Sequence, residues 1–110
     1  MQPNLLIKAA IIHIANQANH NARYGAKLKR MGLRAGASDF FLPIPRSGYP
    51  GFFIEMKRNK KYTKSEMSTE SWLRQEMFQA TMRALDYKAE FAYGANQAIE
   101  MVKEYMKWLN

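Results

Sequence analysis

The stretch DFFLPIPRSGYPGFFIEMK, residues 39–57, decides the fold. Residues 39–45 read as a short strand that ends in prolines, and residues 51–57 are the strongest strand candidate in the chain. Residues 46–50 lie between them and contain the glycine and proline that favour a tight turn. The stretch therefore predicts an antiparallel β-hairpin.

The charged side chains of this hairpin occupy particular places. Because side chains alternate along a strand, the second strand has one wholly apolar face. That face is formed by Phe52, Ile54 and Met56. The opposite face carries Glu55 and Lys57 near the end of the strand, while Asp39 opens the first strand. A hairpin brings the beginning of one strand beside the end of the other, so we predict that these three side chains converge.

Two carboxylates and an ammonium group at a strand end suit a divalent cation. Mg²⁺ prefers oxygen ligands and keeps several waters, so Asp39, Glu55 and a substrate phosphate oxygen would satisfy it. Such a cation lowers the pKa of bound water, and a lysine at the position of Lys57 can hold the attacking water or stabilise the transition state. The alternative interpretation is a surface salt bridge between Glu55 and Lys57, which the spacing alone leaves open.

The segment at residues 72–85 predicts a helix that also contributes to this site. Its apolar anchors Phe78, Met82 and Leu85 lie on one helical face. Gln75 lies in line with them, and an amide that points toward a sheet needs a hydrogen-bond partner. The alternative is that the apolar stripe begins at Phe78 and that Gln75 is solvated.

The remaining segments complete an α/β pattern. The order is roughly β-α-β-β-α-β-α, which predicts a small mixed β-sheet flanked by helices. The total of 110 residues fits a single domain spanning 1–110. The other predicted segments are an apolar strand or short buried helix at 5–14, a helix at 22–31, a lysine-rich loop at 59–71, a strand at 88–93 and a helix at 95–109.

The chain is strongly basic, with 17 Lys and Arg against 9 Asp and Glu and a formal net charge of +8. This density indicates a polyanion partner, most simply nucleic acid, and the alternative is a solvated basic surface. The candidate nucleic-acid contacts within the basic segments are Lys27, Arg30, Arg34, Arg58, Lys60 and Lys61.

The composition also excludes several classes of protein. The absence of cysteine excludes a disulfide scaffold, a cysteine-ligated zinc site and thiol catalysis. No apolar run is long enough to cross a bilayer, and no signal peptide is visible at the N-terminus. We therefore expect no membrane partner and a cytoplasmic location.

The runs GLRAGASDFFLPIPRSGYPGFFIEMKR and RQEMFQATMRALDYKAEFAYGANQAIEMVKEYM resemble the virus-type replication-repair nuclease (VRR-NUC) family, a branch of the PD-(D/E)xK nuclease superfamily. The resemblance covers roughly residues 12–106. It rests on a glycine-rich lead-in that ends at Asp39, a Gly-Tyr-x-Gly turn that begins at Gly48, the Glu55-x-Lys57 strand, Gln75 and a strand-turn-helix at residues 87–98.

This resemblance implies a restriction-endonuclease-like core and a Mg²⁺- or Mn²⁺-dependent DNA endonuclease. Asp39 and Glu55 would ligate the metal with the main-chain carbonyl of Met56, Lys57 would orient or activate the hydrolytic water, and Gln75 would complete the site. The resemblance further implies a homodimer that cuts branched DNA such as Holliday junctions, from a phage or its bacterial host.

The residues before the hairpin fit the resemblance at Asn16 and depart from it in two ways. Asn16 falls where the family has an Ile-Pro-Asn segment, which implies a place near the DNA or the metal. Ser38 replaces the usual proline before Asp39, a change that removes no chemistry. Residues 1–38 contain no Asp or Glu, although the family usually has an acidic metal ligand on a first helix. The alternative function is therefore a non-catalytic nucleic-acid-binding module that retains the nuclease fold.

Overall fold

The computed structural model describes residues 3–14 and 39–107. In chain order, the described helices and strands are α1 (Pro3–Ala10), β1 (Ile12–His13), β2 (Phe40–Leu42), β3 (Phe52–Lys57), α2 (Glu70–Ala84), β4 (Lys88–Tyr93) and α3 (Ala95–Tyr105). A 3₁₀ turn, Glu66–Ser68, precedes α2. The prediction of a mixed α/β fold with flanking helices is confirmed.

The four described strands form one mixed sheet in the order β1-β2-β3-β4. β2 pairs antiparallel with both β1 and β3, whereas β3 and β4 are parallel. The predicted hairpin is therefore present as β2 and β3. Its tip is a two-residue turn at Ser47 and Gly48, which have φ angles of 52° and 85°. Paired positive φ angles fit the right-handed twist of the flanking strands, which explains the glycine here.

The apolar face of the sheet is covered by α1 and α3. Phe52 is fully buried and its ring lies 5.0 Å from that of Tyr105, centroid to centroid. The Tyr105 hydroxyl donates a 2.6 Å hydrogen bond to the carbonyl oxygen of Ile44. Other buried members of this cluster are Leu42, Ile54, Ala92 and Met106.

The opposite face of the sheet packs against α2. Phe53 of β3 meets Phe78 of α2 edge to face at 5.3 Å, and it stacks on Phe41 of β2 at 4.3 Å. The alternation predicted for β3 thus assigns one helix layer to each face. Because α2 crosses the face that carries Glu55 and Lys57, its first turns determine what those side chains contact.

Several predicted boundaries differ from the structure. The apolar segment at 5–14 contains both a helix and a two-residue strand, so the initial strand is preceded by α1. The prediction that Leu85 anchors the core is wrong, because α2 ends at Ala84 and Leu85 is 58 % exposed. The last helix ends at Tyr105. The predicted helix at 22–31 lies outside the described residues.

The lysine-rich segment after β3 is organised by a reciprocal cap. The Thr63 amide donates to Glu66 Oε1 at 2.9 Å, and the Glu66 amide donates to Thr63 Oγ1 at 3.1 Å. This arrangement starts the 3₁₀ turn in the way a capping box starts a helix. None of the helices described at 3–14 and 39–107 is long and apolar enough to cross a membrane.

Candidate active site

The β2–β3 register brings Asp39 beside the end of β3. Phe40 pairs with Ile54 and Phe41 with Phe53, so the next pair in the antiparallel register is Asp39 with Glu55. The Met56 amide donates a 2.8 Å hydrogen bond to Asp39 Oδ2. The two carboxyl groups therefore lie on the same face of the sheet and within hydrogen-bonding reach of each other.

Glu55 carries a buried carboxyl group, and the residue as a whole is only 3 % exposed. Its pKa is raised from 4.5 to about 9, mainly by burial and in addition by the hydrogen bond and the negative charge of Asp39. The charge of Lys57 acts in the opposite sense. Glu55 Oε1 is buried and has no hydrogen-bond partner among the described residues, so the site contains an oxygen that the protein itself leaves unsatisfied.

Lys57 does not form the surface salt bridge that the spacing left open. In the described part of the chain, no ion pair joins its ammonium group to Glu55. Lys57 Nζ instead donates a hydrogen bond to Gln75 Oε1 and lies 4.2 Å from the centroid of the Trp72 ring. Burial lowers the pKa of Lys57, while the negative charges of Glu55, Asp39 and Glu76 counteract that lowering.

Gln75 is positioned by the start of α2. Thr69 caps the helix, and its hydroxyl oxygen accepts from the Trp72 amide at 3.2 Å. Gln75 follows one turn later, is half-buried and reaches the end of β3. The alternative in which Gln75 is solvated is therefore wrong, and its amide oxygen has a charged partner.

The donor set fits a hard divalent cation. Two carboxylates supply oxygen ligands, and the buried Glu55 Oε1 has no partner among the described residues that a cation would have to displace. The Met56 N–H points toward Asp39, and because the N–H and C=O of a strand residue point the same way, its carbonyl does too. Within 3–14 and 39–107, no cluster of three or more acidic, histidine or cysteine side chains is present.

Comparisons with known proteins bear on this geometry. A scan against protein-family models finds no match, and a search of curated proteins also finds none. Among solved structures, the chain is similar to a "VRR_NUC domain protein" at 26 % identity and a TM-score of 0.70. The match covers 90 % of this chain and 69 % of that one. This likeness supports the VRR-NUC family.

The basic residues around the VRR-NUC-like site are described only in part. Arg58, Lys60 and Lys61 directly follow β3 and are exposed. Lys60 pairs with Glu66 Oε2 at 2.6 Å. The remaining candidates for nucleic-acid contact, Asn16, Lys27, Arg30 and Arg34, lie outside the described residues. The structure thus brings the four proposed catalytic side chains together, and three of the basic residues follow the site strand in the chain.

The role of Trp72 in this VRR-NUC-like arrangement is missed by the sequence interpretation. From the sequence alone, Trp72 and Tyr62 beside the basic loop could stack on unpaired bases, or pack in the core or in a dimer interface. Trp72 is only 6 % exposed and packs on Tyr62 at 4.9 Å and on Phe91 at 5.5 Å, so it is a core residue. One signal was present, because Trp72 precedes Gln75 by three residues and therefore shares its helical face.

Proposed function

We propose that this chain is a Mg²⁺- or Mn²⁺-dependent DNA endonuclease that hydrolyses phosphodiester bonds, with branched DNA such as Holliday junctions as its substrate. The observation that carries the proposal is a pair of carboxyl groups, the half-buried Asp39 and the buried Glu55, beside Lys57, whose ammonium group is held by Gln75 and Trp72. The likeness to a VRR_NUC domain protein supports a nuclease-fold domain, and the proposal extends this to a metal-dependent reaction.

Each side chain has a distinct task in this reaction. Asp39 and Glu55 would hold the cation together with the Met56 carbonyl, and the bound cation would acidify water and neutralise charge on the phosphate. Gln75 holds the ammonium group of Lys57 at the edge of the site. From there Lys57 donates hydrogen bonds to the attacking water or to a non-bridging phosphate oxygen. Water adds across the P–O bond, so the leaving oxygen gains a proton.

The surroundings of the site favour a phosphodiester substrate. The chain carries a formal net charge of +8, and Arg58, Lys60 and Lys61 extend from the strand end that bears Lys57. Lysine and arginine contacts to phosphates supply affinity without sequence preference. We therefore propose DNA as the partner, and a homodimer as the form that would present two sites to two strands.

The test is a cleavage assay on Holliday junctions, flaps and plain duplexes with Mg²⁺ or Mn²⁺. Asp39→Asn and Glu55→Gln are each expected to reduce cleavage by at least about a hundredfold, because each removes a charged metal ligand. Asp86→Asn is the matched control, since Asp86 is an exposed acid at the end of α2. Cleavage of none of the substrates, or equal cleavage by all three variants, would contradict the proposal.

A second candidate is a non-catalytic nucleic-acid-binding module. It is favoured by the absence of Asp and Glu from residues 1–38 and by the presence of only a carboxylate pair in the described site. This candidate predicts salt-sensitive DNA binding without cleavage. Titration with Mn²⁺ separates the two candidates, because only the nuclease requires a bound cation. Binding of that cation should be lost in Asp39→Asn.

A further inference from the structure

The ammonium group of Lys57 is held by α2 rather than by an acid. Its Nζ lies 4.2 Å from the centroid of the Trp72 ring and 5.3 Å from that of Phe91, and it donates to Gln75 Oε1. No carboxylate in the described ranges forms an ion pair with it. Lys57 lies on the same strand face as Glu55 and only two residues away, yet its ammonium group contacts uncharged side chains.

The position of the Trp72 ring is fixed independently of Lys57. The residue is 6 % exposed and its ring contacts those of Tyr62 at 4.9 Å and Phe91 at 5.5 Å. Its amide is capped by Thr69 at the start of α2. Since Trp72 and Gln75 are one turn apart, the helix presents an aromatic face and an amide oxygen to one ammonium group.

An aromatic face differs from a carboxylate in what it does to a lysine. The ring attracts the cation through its quadrupole but carries no net charge, so the pair of ring and ammonium retains a net positive charge, whereas an ion pair with a carboxylate has none. A lysine released from this face would find the carboxyl group of Glu55 close by, with an oxygen that has no partner among the described residues. An ion pair there would occupy the oxygen that a divalent cation needs.

We propose that Trp72 is a positioning residue whose indole face, together with the Gln75 amide, keeps the Lys57 ammonium group away from Glu55. The Glu55 carboxyl group thereby stays open to a divalent cation. This inference rests on the proposed metal site at Asp39 and Glu55, and it adds a residue that contacts neither the metal nor the substrate.

The first experiment measures the contact itself by NMR in the absence of metal. The ε-methylene protons of Lys57 should show ring-current shifts to high field in the wild type. Trp72→Met, which keeps an apolar side chain without a ring, should lose most of that shift. Tyr62→Leu should keep it, because the described rings over Lys57 Nζ are those of Trp72 and Phe91, while Tyr62 packs on Trp72. An unshifted Lys57 signal in the wild type, or one unchanged in Trp72→Met, overturns the proposal.

The second experiment measures Mn²⁺ binding by calorimetry. Trp72→Met should raise the Mn²⁺ dissociation constant about fivefold, as expected from the loss of one cation–π contact. Trp72→Phe should restore most of the affinity. In a Lys57→Met background, Trp72→Met should change the affinity no further, because no ammonium group remains to be released.

Two outcomes separate this inference from the proposed function. Wild-type protein that binds no Mn²⁺ contradicts the metal site, and with it the proposal. Wild-type binding that Trp72→Met leaves unchanged, or weakens equally in the Lys57→Met background, overturns the role of Trp72 alone. If thermal unfolding shows that Trp72→Met is not folded, Trp72→Phe decides between the outcomes. Its smaller ring should measurably reduce the ring-current shift of the Lys57 protons.

Discussion

The two faces of the sheet differ in what they bury. The face toward α1 and α3 buries apolar side chains such as Phe52, and its one buried hydroxyl, on Tyr105 within the described cluster, has a backbone acceptor. The face toward α2 begins with stacked rings around Phe53 and ends with the buried carboxyl of Glu55. Burying apolar area stabilises a fold, whereas burying a carboxyl group costs free energy. Both faces thus bury apolar area, but within the described residues only the face toward α2 also carries a destabilising buried carboxyl group.

The largest effect should come from emptying the apolar face. Phe52→Ala is expected to lower the free energy of unfolding by about 3–5 kcal/mol, because it removes a fully buried ring and leaves a cavity. Urea denaturation measures the change. Leu73→Ala is the control, since Leu73 is 52 % exposed on α2, and it should stay within about 0.5 kcal/mol of wild type. Similar losses in both variants would contradict the comparison.

The second prediction concerns the face toward α2, where the buried carboxyl group of Glu55 should make the stability of the fold depend on pH. The pKa of Glu55 is about 9 in the folded chain against an ordinary 4.5, so between these values the folded state holds a proton that the unfolded state has lost. Stability should therefore fall as pH rises from about 5 to about 8, by at most about 1.4 kcal/mol per pH unit. Urea denaturation at several pH values measures this slope in metal-free protein.

Glu55→Gln is expected to flatten that slope and to raise stability at the alkaline end, because it replaces a titrating group with a neutral amide of similar shape. Glu90→Gln is the matched control, since its side chain is 42 % exposed on β4, and it should keep the slope. Wild-type stability that does not change with pH, or a slope that persists in Glu55→Gln, would contradict the destabilising effect assigned to the buried carboxyl group of Glu55.

The same proton should compete with the proposed cation. As pH rises toward the pKa of Glu55, Mn²⁺ binding is expected to tighten by up to about tenfold per pH unit. The reason is that the cation must displace the proton from this carboxyl group. Calorimetry in buffers of different ionisation enthalpy counts the protons released. An affinity independent of pH would show that Glu55 does not ligate the metal, whereas Asp39→Asn should weaken binding at every pH.

The polar group on the apolar face should have a smaller effect. Tyr105→Phe removes the hydroxyl that donates to the Ile44 carbonyl, and it is expected to cost about 1–2 kcal/mol because a buried acceptor loses its donor. Tyr49→Phe, at the exposed hairpin tip, is the control and should be neutral. Chemical denaturation distinguishes them, and equal stability of the two variants would mean that this hydrogen bond contributes nothing.

The smallest expected effect is a gain in stability from a change at Asp86, just after the end of α2. Asp86 has a φ of 71°, a left-handed conformation that glycine adopts without a steric cost. Asp86→Gly should stabilise the chain by roughly 0.5–1 kcal/mol without changing Mn²⁺ binding. Thermal unfolding measures the gain. A destabilised variant would indicate that the Asp86 side chain contributes more than its backbone conformation costs.

The convergence of Asp39 and Glu55 could be predicted because it depends on local rules. Alternation along β3 sets the face of each side chain, and a hairpin sets which ends meet. The small mixed sheet flanked by helices followed from the order of the predicted segments. The boundary of α2 was harder, because Leu85 fits the helical period but lies past the last helical residue, where solvent replaces the sheet.

The partner of Lys57 could not be predicted from spacing. A flexible lysine chooses among neighbours that are distant in sequence, and the choice of Trp72 and Gln75 over Glu55 depends on how α2 crosses the sheet. The split of the segment at 5–14 into α1 and β1 has a similar origin, because its apolar run suits either structure and packing decides.

The two-residue tip at Ser47 and Gly48 has a consequence for how related chains can vary. In an antiparallel ladder, residues added at the tip shift nothing at the open end, so the number of residues between the two acids is free to change. A slip of one position between β2 and β3 is different, because it would turn the Asp39 side chain through the sheet to the layer of α1 and α3. Evolution can therefore lengthen this loop but must preserve the parity of the ladder.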